Sequence, residues 1–220
     1  FEQLGIDQME VSSGALREGL LYDLLGRFGH EDVRDRSIQA LMNRHHVESS
    51  QAERVCATAL ALYQQVASDW QIESDEAADT LRWGGLLHEV GLAVSHSQFH
   101  KHGAYLVTNS DLPGFSRQEQ QMVALMVRGH RRKVPLAALA ELPDDEQIGL
   151  LRLCLVLRLA VRLHHARSDE DVPEIRLQAR GERLAITFPP GWLEEHPLTQ
   201  ADLEQEHDYF QAAGYQLVLA

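Results

Sequence analysis

Two groups of side chains in this sequence have types and spacing that suit chemistry. The first is histidine-rich. Five of the twelve histidines fall from His88 to His130, and His88 stands directly beside Glu89 after an apolar helical stretch. An imidazole next to a carboxylate suits divalent-metal ligation or acid–base work. The second group is cationic. Arg128, His130, Arg131, Arg132 and Lys133 lie within six residues at the end of a helical pattern, with Gly129 among them allowing close approach. Lys101 sits between His100 and His102 at the start of another helix. Guanidinium forks grip phosphate oxygens, and a helix N-terminus adds backbone donors. A plain alternative is that the basic run only complements the negative end of its helix dipole.

The elements that must position these groups are mostly helices. Val33, Ile38, Leu41 and Met42 mark one. Ser49 and Ser50 are N-cap candidates for a second, whose apolar face holds Ala52, Val55, Ala59, Leu62 and Val66. A third runs from about Ser74 to Val90, and a fourth passes through HKHGAYLV to the turn DLPGF. Ser116 and Glu119 read as a capping box opening the next helix. The long stretch EQIGLLRLCLVLRLAVRLHHAR is acidic at its start and basic at its end, in keeping with the dipole. After Pro173 the period becomes two: EIRLQAR and RLAITF flank a Gly-Glu turn as a hairpin, and YQLVLA closes as a strand. Residues 1–27 read as a short strand, Gln8 to Val11, and a helix whose face is Leu16, Leu20, Leu21, Leu24 and Leu25.

The expected organisation is therefore mainly α, with 31–170 as a helical domain and 171–220 as a small α+β subdomain. Residues 1–30 read as the end of something longer, because so short a unit cannot bury its own face. The chain opens on Phe1, and FEQLGIDQMEV lacks the basic start and apolar core of a secretory signal. No apolar run reaches the roughly 20 residues of a membrane span. Cys56 and Cys154, far apart inside apolar patterns, read as two buried free thiols in the cytoplasm. The formal net charge of -13 argues against a broad polyanion-binding face. No Lys or Arg follows Arg183, however, and the run 128–133 holds four positive charges and no negative one. Local sign within a Debye length of roughly 8–10 Å decides whether a phosphate is welcome, so any binding track must be narrow. Nucleic acid is not an expected partner.

The spacing around LLHEVG resembles the HD-domain phosphohydrolases, helical proteins that hold a divalent metal with His, His-Asp and a distant Asp. The doublet falls on His88 and Glu89. The first His position holds Gln51 and the last Asp position, in LRLAVRL, holds Val161. An amide is a weak ligand and an isopropyl group is none, so no metal is expected here. His45 and His46 lie near enough in sequence to substitute for Gln51, but nothing replaces the Asp.

A longer resemblance covers nearly the whole chain. SSGALREGLLYDLLGR, HHVESSQAERV, LRWGGLLHEVGLAVSHSQFHKHGAYLVTNSDLPGFSRQEQ, VRGHRRK and LLRLCLVLRLAVRL resemble the C-terminal part of the bacterial exopolyphosphatase/guanosine-pentaphosphate phosphohydrolase family. The resemblance implies that the chemistry, release of terminal phosphate with Mg²⁺, belongs to N-terminal actin-like domains outside this chain. It implies that residues 1–30 end the second of those domains, and that this chain alone is catalytically inert. It implies an HD-like helical domain and a terminal subdomain that bind the substrate chain and form a homodimer. HKH and GHRRK look more like the polyphosphate branch than its guanosine pentaphosphate sister. The expected contacts are His100, Lys101, Arg128, His130, Arg131, Arg132 and Lys133. The rival readings are a guanosine pentaphosphate phosphohydrolase, a free-standing HD-type metallophosphohydrolase, and a non-enzymatic module that keeps the fold for protein contacts.

Overall fold

The computed structural model describes residues 32–167 and 172–219. The strand and helix read in residues 1–27 lie outside them. Helix α1 (Val33–Arg44) starts where the Asp32 carboxylate accepts from the Arg34 backbone N–H at 2.9 Å. The Arg34 side chain also reaches Glu119 at 2.9 Å and lies 4.6 Å over the Trp83 ring, which fixes α1 against its neighbours. Helix α2 (Ser49–Val66) has Glu48, not a serine, at its N-cap, with no side-chain capping bond. The helix therefore begins at Ser49, at least one residue earlier than serine capping would place it. Its apolar face, Val55, Ala59, Leu62 and Val66, is buried as the spacing requires.

Helix α3 (Asp75–Leu87) is capped by Ser74, whose side chain accepts from the Ala77 N–H. It stops short of Val90, and a 3-10 turn, Val90–Ala93, follows. That turn packs against α4 (Phe99–Asn109) so closely that a Cβ on Gly91 would lie 2.0 Å from the Phe99 carbonyl oxygen and 2.4 Å from the Gly103 nitrogen. Only glycine permits this contact, which sets the start of α4 in place. Helix α5 (Arg117–Gly129) opens with the capping box of Ser116 and Glu119. Its face Val123–Val127 is buried, and its C-cap is His130. A one-turn helix, α6 (Leu136–Leu139), was not evident in the sequence.

Helix α7 (Asp144–Leu163) is the axis of the molecule. Every residue from Leu153 to Ala160 is buried, which marks a helix surrounded on all sides. Beyond it β1 (Arg176–Arg180) and β2 (Arg183–Thr187) pair antiparallel, with Leu177 opposite Ile186 and Gly181 at φ 57° in the turn. A short α8 (Trp192–Glu195) and the long α9 (Pro197–Ala212) carry the chain back, so that β3 (Gln216–Leu219) lies parallel to β2. The order is β1-β2-β3. Leu177, Ala179, Leu184, Ile186 and Leu217 face the helices and share one continuous apolar core with α2 and α7. Gln65 on α2 accepts from the Leu177 N–H at 2.8 Å, and Trp70 donates to the Gly181 carbonyl at 2.9 Å. A second core, with Ile38, Leu41, Trp83, Leu87, Val107 and Val123, lies beneath α1, α3, α4 and α5. Cys56 and Cys154 are buried and unbridged, and burial drives their thiols up to about 11 and about 12. Among the described residues no helix is long and apolar enough to cross a membrane.

Candidate functional site

The DLPGF turn, with Gly114 at φ 90°, folds α5 back on α4, so the start of α4 meets the end of α5. His96, Ser97, Gln98, His100 and Lys101 from one side and Arg128, Arg131, Arg132 and Lys133 from the other line a cavity of about 640 Å³. Six of the seven phosphate-binding candidates thus share one pocket. The loop after α5 turns through Arg132 at φ 60°, a left-handed conformation unusual for a non-glycine residue. Lys101, Arg128, Arg131, Arg132 and Lys133 form no ion pair among the described residues.

The charges in this pocket oppose one another. Burial, then Arg128, Arg131, Lys101 and Arg132, hold His100 down at about 4, so it is neutral near pH 7. Burial lowers Arg128 below the ordinary arginine value, and burial followed by Arg132 and Arg162 does the same to Arg131. The Arg128 Nη1 and the His100 Nδ1 are buried without a hydrogen-bond partner. Arg131 rests 4.4 Å over the Phe99 ring, which orients its guanidinium without neutralising it. The pocket thus gathers cations beside the N-terminal turn of α4, with Glu89 acting on Arg131 only at a distance and no carboxylate paired with any of the five among the described residues.

His130 lies elsewhere. It is 1% exposed and stands behind the pocket wall, its ring 5.4 Å from that of His88 and 6.4 Å from that of His100. His88 and His130 each donate Nδ1–H to a backbone carbonyl, Gly85 at 2.6 Å and Val127 at 2.7 Å. Burial lowers both below the usual imidazole range. Gly129 approaches the Cys154 sulfur rather than a ligand, for a Cβ there would lie 3.1 Å from Sγ. Its smallness serves the packing of α5 on α7.

The HD-like positions are committed to other bonds. Gln51 is buried, donating Nε2–H to the His164 carbonyl at 2.9 Å and accepting from Arg54 at 2.9 Å. A neighbouring guanidinium and a spent amide do not suit a cation. Val161 packs on the main core. Glu89 pairs with Arg167, which also reaches Glu48. His45 is half-buried and His46 exposed, both just past the end of α1. Among the described residues no three His, Cys, Asp or Glu side chains are disposed to hold a metal.

One structural centre was not legible in the sequence. Arg158 and Glu206, both 0% exposed, form an ion pair at 2.7 Å between α7 and α9. Arg158 Nη1 also donates to the Gly129 carbonyl at 2.7 Å, and Arg162 Nε to the second Glu206 oxygen at 2.7 Å. The end of α5, from which the basic loop departs, is therefore tied through Arg158 to α9. The available signal was a lone Arg inside CLVLRLA, which demands a buried counterion.

Fold and pocket define a mainly helical domain with a small α+β end and a cleft lined by cationic side chains. The chain belongs to the Ppx/GppA phosphatase family, whose domain III profile (Ppx/GppA phosphatase, domain III) matches residues 33–207. It is 34% identical over 221 residues to a guanosine-5'-triphosphate,3'-diphosphate pyrophosphatase of Pseudoalteromonas translucida, covering all of this chain and 44% of that protein. It is 35% identical over 215 residues to a protein of the same name from Aeromonas hydrophila, covering 98% of this chain and 43% of the relative. The chain thus spans less than half the length of these curated relatives, and both bear the name of the guanosine branch.

Proposed function

We propose that this region holds the phosphate chain of the substrate of a Ppx/GppA hydrolase whose catalytic domains lie outside the chain. The observation that carries the reading is the pocket at the start of α4 and the end of α5, lined by five cations that form no ion pair among the described residues. A condensed phosphate offers regularly spaced oxygens with about one negative charge per phosphorus, and each guanidinium answers with a forked pair of donors. Lys101, Arg128, Arg131, Arg132 and Lys133 bind and orient the chain. His100 adds a neutral hydrogen-bonding ring. His130 supports the wall from behind. Mg²⁺ belongs to the N-terminal domains, and the donors at Gln51, His88, Glu89 and Val161 do not fit a second divalent cation. Release of orthophosphate, homodimer formation and a cytoplasmic location are parts of the same proposal.

Two substrates share this chemistry. Inorganic polyphosphate is the reading favoured by HKH and GHRRK, and guanosine pentaphosphate is favoured by the names of the two relatives. The test is titration of this chain with tripolyphosphate, long-chain polyphosphate and a guanosine polyphosphate at several salt concentrations. The Arg131→Ala, Arg132→Ala double variant is expected to weaken all three by about tenfold or more and to flatten the salt dependence. Unchanged affinity and slope would remove the pocket from the substrate path. Tighter binding with increasing chain length selects polyphosphate, and tighter binding of the nucleotide selects its sister.

A further inference from the structure

His100 is a titratable ring enclosed in the wall of a cationic pocket. It is 5% exposed, its Nδ1 is buried, and its side chain forms no hydrogen bond among the described residues. The groups that face it give its charged form no support. Lys101 follows it on α4, Arg128 comes from α5, and Arg131 and Arg132 come from the loop beyond. After burial itself, these four act against a protonated ring. His130, at the end of α5, stands 6.4 Å away ring to ring, with its Nε2 buried and unpartnered. Lys133 and the exposed His96 complete the rim, and among the described residues no carboxylate lines the cavity. Glu89 is bound by Arg167 and acts on Arg131. His100 is also the second residue of α4, whose N-cap Gln98 makes no side-chain capping bond. The partial positive charge of that helix end works against an imidazolium as well.

The ring stays neutral because burial and the surrounding cations both disfavour its charge, and an anion in the pocket removes the second cause. We infer that the basic pocket takes up a proton together with its phosphate ligand, at His100, so that binding tightens as pH falls below neutral. This rests on the phosphate-binding reading above and adds a regulation of the same site. A bound phosphate oxygen offsets Lys101, Arg128, Arg131 and Arg132, and it accepts a charge-assisted hydrogen bond from the protonated ring. The proton comes from solvent, adds to the ring nitrogen that carries a lone pair, and returns to solvent on release. Proton and phosphate then raise one another's affinity by the same factor.

The test is calorimetric titration of this chain with tripolyphosphate from pH 7 to pH 5, in pairs of buffers of different ionisation enthalpy, which count the protons taken up. The parent chain, His100→Asn and His96→Asn are compared, and the probe's own protons, common to all three, cancel. Beyond that shared background the parent is expected to gain about tenfold in affinity and to take up most of one proton at the lower pH. His100→Asn is expected to lose both effects and His96→Asn to keep both. In the parent alone, the imidazole nuclear magnetic resonance signal of His100 is expected to titrate from about 4 in the free chain toward the ordinary histidine value when tripolyphosphate is bound. That readout needs no variant to fold. If tripolyphosphate binds with no extra proton, or if His96→Asn removes the uptake instead, the inference is wrong and the phosphate pocket stands. If tripolyphosphate binds at neither pH, both readings fall.

Discussion

Arg158 and Arg131 lie on either side of the same structural joint, the end of α5, and meet opposite conditions. Arg158 is fully enclosed by α7 and α9, where Glu206 receives its charge and the Gly129 carbonyl takes a further N–H. Arg131 is half-buried at the pocket, stacked on Phe99 and surrounded by cations, with no carboxylate bound to it. In the first environment a buried charge is tolerable because a partner compensates it. In the second, three arginines and two lysines gather with no paired carboxylate among the described residues, and solvent screens the exposed Lys101, Arg132 and Lys133. One network therefore fixes the scaffold and the other is the one proposed to meet a ligand, and the Gly129 carbonyl ties the end of α5 to the first.

The strongest way to break this contrast is Glu206→Gln. It leaves the charge of Arg158 uncompensated at zero exposure, and a loss of about 3–5 kcal/mol in urea unfolding is expected. Replacing the pair together, Arg158→Met with Glu206→Leu, is expected to recover most of that loss. If the single change costs as little as a surface substitution, the pair is not the brace described.

Acid probes the other network. His100 in the folded chain titrates at about 4, against about 6.5 when unfolded. A depressed imidazole means that the unfolded chain binds the extra proton first, so stability rises with pH between those values and falls as pH drops from 6.5 toward 4. His100 alone is expected to cost about 2 kcal/mol between pH 7 and pH 5. His164 is lowered to about 4 by burial and Arg54, so it adds a loss of the same sign. The His100→Asn variant should flatten part of the curve. Bound tripolyphosphate should also shrink the His100 contribution in the parent chain, because it offsets the four cations that disfavour protonation and so brings the folded imidazole closer to its unfolded value.

The difference between the networks also explains what could be read in the sequence. Local rules located the capping box of Ser116 and Glu119 and the turn DLPGF, because both signals lie within a few residues. That turn brought α4 and α5 together, which is why Lys101 and Arg131 share a cavity despite their separation along the chain. Glu48 rather than Ser49 caps α2, since serine at either site satisfies the same pattern and only the backbone decides. The Arg158–Glu206 pair stayed hidden because CLVLRLA announces a need for a counterion but carries no mark of which of six acidic residues beyond Arg183 supplies it. His130 looked like a member of the basic run. Its ring instead points into the interior, since the C-cap position turns the side chain back onto α5, where the Val127 carbonyl accepts its proton.

The smallest expected effect gives the finest resolution. Lys133 is exposed and lines the pocket, with no ion pair among the described residues. If cations there serve only a ligand, Lys133→Ala should alter folding stability by less than about 0.5 kcal/mol, as at any surface position without a partner. Its trace should appear instead in the salt dependence of tripolyphosphate binding, where one fewer released counterion lowers the slope by somewhat less than one. A dipole-complementing residue would behave the other way round: removing it would weaken the end of α5 by a few tenths of a kcal/mol and leave the slope untouched. Measuring both quantities on one variant therefore separates a cation retained for its helix from one retained for a phosphate.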